Sequence, residues 1–177
     1  MTDLGKSAPM NRLLQGDVGC GKTIVATLAA LQTIMNGFQV AFMAPTEILA
    51  EQHFVNLKEW LEPLKISVAF LSGSISKKDK DNIYTHISQG DIDILVGTHA
   101  LIQDQVRFKS LALYVIDEQH RFGVEQRISM RARNLIDKKY QAHQLMMSAT
   151  PIPRTLSMSY FADMDISTIR KLPPGRQ

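Results

Sequence analysis

The chain has a single cysteine, Cys20, among its 177 residues, so no internal disulfide can form and a reducing cytoplasm is the expected compartment. Apolar runs all break well before the roughly 18 residues a membrane helix needs, and no membrane partner is expected. The start, Met1-Thr2-Asp3-Leu4-Gly5-Lys6-Ser7, lacks the basic stretch and apolar run of a secretion signal. No combination of cysteine and histidine has metal-ligand spacing, which argues against a structural zinc. Repeats and low-complexity segments are absent too. An excess of either charge is nearly missing: 20 Lys and Arg against 17 Asp and Glu leave a net +3. That balance permits nucleic-acid binding without arguing for it, since any basic patch must be local. Lys77-Lys78 and Lys138-Lys139 are the nearest approach to clusters and read as solvated helix surface. What remains, 45% hydrophobic and 21% charged residues, is a globular chain long enough for one domain with a real core.

The informative stretch is Gly16-Asp17-Val18-Gly19-Cys20-Gly21-Lys22-Thr23, which fits the phosphate-binding pattern G-x-x-x-x-G-K-[ST]. Its glycines let the backbone curl so that consecutive N–H groups point at an anion, a turn a Cβ would obstruct. A following helix adds the positive end of its dipole at the same point. In this pattern Lys22 reaches the β- and γ-phosphates of ATP and the Thr23 hydroxyl ligates Mg²⁺. The flanks supply the required setting. Asn11-Arg12-Leu13-Leu14-Gln15 reads as a short strand, and Ile24, Val25, Leu28, Leu31 and Met35 recur afterwards at helical spacing until Gly37.

Further strands are expected at Gln39–Ala44, Ser67–Leu71, Ile92–Val96, Leu111–Ile116 and Gln144–Met147. Between them, Thr46 can cap a helix carrying Leu49, His53, Leu57, Trp60 and Leu61 on one side. Ser76-Lys77-Lys78-Asp79 opens another through Ile83, Tyr84 and Ile87, stopped by Gly90. Apolar strands alternating with helices predict an α/β domain: a predominantly parallel sheet with helices on both faces. Ligands of such sheets bind beyond the carboxyl ends of the strands. The phosphate loop, Pro45-Thr46, Gly97-Thr98-His99, Asp117-Glu118 and Ser148-Ala149-Thr150 all follow strands and should share that edge. Asp117 at a strand end can hold Mg²⁺ through its waters, and Glu118 beside it can orient or deprotonate an attacking water. A carboxylate placed to activate water favours hydrolysis over phosphotransfer.

These residues carry a family resemblance. Asp117-Glu118-Gln119-His120 resembles the DExH box of superfamily two helicases, and Pro45-Thr46-Glu47-Ile48-Leu49-Ala50, Gly97-Thr98-His99-Ala100-Leu101 and Ser148-Ala149-Thr150 resemble their motifs Ia, Ib and III. The strings Asp117–Arg127, Ala149–Leu156 and Pro9–Gly19 are similar to those of the RecG family of bacterial ATP-dependent DNA helicases, over nearly the whole chain. The translocase module of transcription-repair coupling factors shares the Arg-Phe-Gly-Val and Thr-Pro-Ile-Pro-Arg-Thr strings; it typically has a second glutamate at the position of Gln119 and lacks the Met10–Leu14 lead-in. A non-catalytic ATP-binding module is the other alternative.

The resemblance implies a RecA-like P-loop NTPase fold, with ATP and Mg²⁺ held by residues 16–23 and Asp117 and catalysis by Lys22, Asp117, Glu118, Gln119 and His120. It implies backbone contacts to DNA from Pro45, Thr46, Gly97, Thr98 and His99, although Thr46 equally fits a helix cap. Coupling falls to Ser148, Ala149, Thr150 and Arg154, with Ser148 on a strand between those of the phosphate loop and Asp117. Cys20 stands where the family often has serine; alkylation there is expected to block nucleotide binding and ATP to protect it. His53, His86 and His143 are expected to be ordinary core or surface residues. By the same resemblance, residues 1–10 are a lead-in, 11–170 a first motor domain, and 171–177 the start of a linker to a second RecA-like lobe. That lobe would supply an arginine finger, worth about 10³–10⁵ in rate, and an N-terminal wedge domain of the parent would grip branched double-stranded DNA. The lone domain is expected to be a monomer that binds nucleotide weakly and does not unwind DNA.

Overall fold

The computed structural model describes residues 2–5, 8–117, 142–149 and 164–170. Its seven strands are β1 (Asn11–Gly16), β2 (Gln39–Met43), β3 (Val68–Leu71), β4 (Ile94–Gly97), β5 (Leu111–Ile116), β6 (His143–Ser148) and β7 (Asp165–Ile169), and the helices are α1 (Lys22–Met35), α2 (Glu47–Leu61) and α3 (Lys77–Gln89). All neighbours pair in parallel, in the order β3-β4-β2-β5-β6-β1-β7. The α/β expectation holds. Strands β2 and β4 are buried along their whole length, as their unbroken apolar runs require.

Alternation along the strands divides the core in two. Leu13, Ala41, Met43, Leu95, Tyr114, Ile116 and Met146 face one side, where Ile83, Tyr84 and Ile87 of α3 cover them. Leu14, Val40, Phe42, Val96, Val115 and Met147 face the other, beneath α1 and α2. Helices thus lie on both faces. Gln39 stitches the amino edge of the sheet: buried at the start of β2, its Nε2 donates to the carbonyls of Ile87 and Ile92, and its Oε1 accepts from Ser110 N. A buried amide this fully satisfied fixes where α3 ends and where β4 and β5 begin.

Three details differ from the sequence reading. Strand β7 was not anticipated; Asp165-Ile166-Ser167-Thr168-Ile169 has no apolar run, because it is an edge strand that pairs only with β1 and stays largely exposed. The apolar stripe of α1 faces outward: Ile24, Leu28 and Met35 are exposed, while Ala26, Ala29 and Ala30 meet the sheet. Small side chains let this helix sit close to the strands. Thr27 and Thr33 share that buried face because their hydroxyls donate to the carbonyls of Thr23 and Ala29 within the helix. On α2, His53, Leu57 and Leu61 are buried as expected, but Trp60 is exposed.

A candidate nucleotide site at the carboxyl edge

Strand β1 delivers the chain into the loop at Gly16. Any Cβ there would strike the Cys20 Sγ and approach the Ile169 carbonyl oxygen to 3.2 Å, so only glycine fits between β7 and the returning loop. The loop turns with Cys20 N donating to Asp17 O at 3.2 Å, and passes through Gly19 and Gly21 at φ of 80° and 97°. Both lie in the left-handed region that a side chain disfavours. Gly21 is the N-cap of α1, which has neither a side-chain cap nor an acidic residue in its first turn. The first N–H groups of a helix lack partners inside it, and here no side chain of the cap supplies one. Lys22, the first helical residue, donates from Nζ to the carbonyls of Gly16 at 2.6 Å and Asp17 at 2.9 Å, which holds its ammonium at the mouth of the loop. Glycine curl, uncapped dipole and a held cation together suit a polyphosphate. Asp17 and Val18 are exposed at the loop's tip, and Thr23 follows Lys22 on α1. Cys20, where alkylation is expected to block nucleotide binding, is buried.

Asp117 follows β5 directly. Its N–H donates to Met43 O at 2.8 Å, and its Oδ2 lies 2.6 Å from His53 Nε2 on α2. Strand β6 runs between β5 and β1, so Ser148, buried and opposite Gln15, and Ala149 lie between Asp117 and the phosphate loop along one edge. This is the order the resemblance implies. Thr23 and Asp117 offer hard oxygen donors of the kind Mg²⁺ takes. Among the described residues no group of three or more His, Cys, Asp or Glu could hold a metal.

A second surface lies farther along the same edge, where β2 and β4 are neighbours. Ala44 N donates to Gly97 O at 3.0 Å, joining the segment that holds Pro45 and Thr46 to the one that holds Gly97, Thr98 and His99. Thr46 and His99 are exposed and Pro45 half-buried, while Thr98 is 4% exposed. Gly97 has a packing reason of its own, since a Cβ there would strike the Leu71 carbonyl. Thr46 caps α2 by accepting from Leu49 N at 3.3 Å, so the cap role expected for it holds. Glu118, Gln119, His120, Thr150 and Arg154 lie outside the described residues.

His53 is a buried core residue, within the expectation, but it is also in contact with Asp117 across 64 positions of chain, a pair that no local pattern announces. Its place on the inward side of α2 was the sole available signal.

Comparison with known proteins gives the family and the fold. The family model described as DEAD/DEAH box helicase matches residues 5–159. The chain is 54% identical over 177 residues to the ATP-dependent DNA helicase RecG of Aquifex aeolicus, covering 100% of this chain and 22% of that protein. It is 52% identical over 174 residues to RecG of Escherichia coli strain K12, covering 98% and 25%. A solved structure of RecG bound to a three-way DNA junction matches with a TM-score of 0.84 and 46% identity, over 99% of this chain and 23% of that one. The DEAD-box helicase Mss116 bound to ssRNA and UDP-BeF, at a TM-score of 0.70 and 17% identity over 93% of this chain and 37% of that one, shares the fold. The chain spans about a quarter of the length of the RecG proteins it matches. Among the described residues, no helix is long and apolar enough to cross a membrane.

Proposed function

The chain belongs to the DEAD/DEAH box helicase family, and we propose that it is the ATP-binding motor lobe of a helicase that remodels branched DNA. The observation that carries this reading is the first turn of α1: an uncapped helix behind a glycine loop, with Lys22 held over its mouth, on the same sheet edge as Asp117. Likeness to RecG along the whole chain supports the choice of duplex DNA with branches as substrate, since one matching structure is that of RecG on a three-way junction.

In this reading, main-chain N–H groups of residues 16–23 and the Lys22 ammonium bind the phosphates of ATP. Thr23 and Asp117 would hold Mg²⁺, which would supply positive charge against the phosphates. Glu118, next to Asp117 in the chain, orients the attacking water and takes its proton. Gln119 and His120 sit beside the γ-phosphate, and Ser148, Ala149, Thr150 and Arg154 pass its loss toward the DNA side. Thr46 and His99, exposed beside one another's strands, meet phosphates of the DNA backbone together with Pro45, Gly97 and Thr98. The domain is the first of two lobes: residues 11–170 form it, 1–10 lead in, and 171–177 begin the link to the second. Its setting is the bacterial cytoplasm.

ATP turnover by the full-length protein, measured with linear, forked and four-way DNA, tests the reading. Branched DNA should stimulate turnover most, Glu118→Gln should abolish turnover while retaining ATP, and Lys22→Ala should lose both. Equal turnover in wild type and Glu118→Gln would sink the hydrolytic assignment.

A further inference from the structure

His53 occupies the second turn of α2, the helix that begins at the Thr46 cap. Its side chain is 10% exposed and its ring lies 4.7 Å from that of Phe42 on β2, tilted by 46°. Nε2 is 2.6 Å from Asp117 Oδ2. A carboxylate oxygen can only accept, so Nε2 is the donor. Among the described residues, the other nitrogen, Nδ1, is buried without a hydrogen-bond partner. An imidazole retained only for packing would leave that nitrogen as an uncompensated cost. The hydrogen bond to Asp117 is what offsets it.

We propose that His53 is a positioning residue for the metal-holding carboxylate of Asp117, acting through Asp117 rather than touching the nucleotide. The inference rests on the reading of Asp117 as a Mg²⁺ ligand. A carboxylate that holds a metal must keep its oxygens aimed, and outer-shell hydrogen bonds do this. Asp117 is fixed at its backbone by Met43 O and at one side-chain oxygen by His53. The bond also makes a mechanical connection. His53 is carried by α2, whose N-cap is Thr46; the segment leading into it is joined through Ala44 N to Gly97 O after β4. A shift of α2 at that end therefore moves the donor that orients Asp117. The DNA side and the metal side of the lobe then share one rigid element, with His53 as the point of contact.

The test uses full-length protein and a fluorescent ATP analogue, titrated with Mg²⁺ and separately in EDTA. His53→Leu and His53→Asn both remove a donor that reaches Asp117; His53→Gln keeps an amide N–H at about the distance of Nε2. Either donor-loss variant should raise the Mg²⁺ concentration at half-saturation about tenfold, the lower end of the range for lost outer-shell partners. Binding in EDTA should not change, and His53→Gln should recover to within about threefold of wild type. In an Asp117→Asn background, His53→Leu should add nothing, because the two act as a unit. The proposal is overturned if both donor-loss variants keep the wild-type Mg²⁺ requirement, or if His53→Gln is as impaired as His53→Leu. A failure of the nucleotide reading looks different: wild type itself would then show no Mg²⁺-dependent binding, and Asp117→Asn would match it.

Discussion

Helices α1 and α2 leave the same edge of the same sheet, each after a strand and a turn, yet their first turns are furnished in opposite ways. α2 starts with Thr46, whose hydroxyl accepts from Leu49 N, and has Glu47 in its first turn. Glu47 further accepts from Gly73 N at 2.8 Å, tying the helix to the loop after β3. α3 is furnished like α2, with Ser76 accepting from Asp79 N and an acid in the first turn. α1 has a glycine in the left-handed region, no side-chain cap, no acid, and a lysine at its first position. Caps and first-turn acids each stabilise a helix by about 1 kcal/mol or somewhat less. A helix that forgoes both gives up stability, and gains donors and positive potential that an anion can use. Under the proposed reading, this difference fits a nucleotide-binding start for α1 and an ordinary capped start for α2.

The largest expected effect separates the two ends by charge. Lys22→Ala removes hydrogen bonds from a charged donor, each worth about 1.5–3 kcal/mol, so nucleotide affinity should fall about 10–100-fold. Titration of the full-length protein with a fluorescent nucleotide reads this directly, with Thr46→Ala as the matched change on α2. Comparable losses in both variants would break the comparison.

Next comes the loop's geometry. Gly16→Ala forces a Cβ against the Cys20 Sγ and the Ile169 backbone, and should destabilise the fold by about 1–3 kcal/mol, as overpacking does. Adding Cys20→Ala should return part of that loss, since it removes the atom struck first. Thermal unfolding of the single and double variants measures both. No recovery would mean that the β7 backbone, rather than Cys20, confines the loop.

For α2 the matching change is chemical. Thr46→Ala should cost about 1 kcal/mol of stability, the ordinary value of a lost N-cap, and leave nucleotide affinity as it was. If Thr46 also meets DNA phosphates, the same variant weakens DNA binding beyond what its stability loss explains. Denaturant unfolding and DNA titration on one sample separate the two roles.

Much of this contrast is legible in the chain itself. Glycines at 16, 19 and 21 followed by lysine specify an open helix start, whereas Thr46 and Ser76 specify closed ones, because capping is local chemistry. The parallel sheet is legible too, from apolar runs such as Val40–Ala44 that only a doubly covered strand can bury. Properties set by distant partners are not. The period of Ile24, Leu28, Leu31 and Met35 marks a helix, but which side meets the sheet depends on how near the helix must sit, and alanines win that place. β7 is hidden because an edge strand needs no apolar signature. His53 is hidden because Asp117 reaches it only through the fold.

The smallest predicted effect tests the contrast most directly, since it asks one substitution to push two measurements in opposite directions. Ile24 is in the first turn of α1 and exposed, so Ile24→Glu introduces an acid like Glu47 without disturbing the core. The added negative charge meets the positive end of the helix dipole and should stabilise the unliganded protein by about 0.3–1 kcal/mol at low salt. The same charge repels phosphate and should weaken nucleotide binding, with both effects shrinking as salt rises because the site is exposed. In α2 an exposed first-turn residue, Ile48, already follows an acid and lies away from the proposed nucleotide loop, so Ile48→Glu should leave nucleotide affinity unchanged. If Ile24→Glu changed stability and affinity in the same direction, the open turn of α1 would be a weak helix start and nothing more.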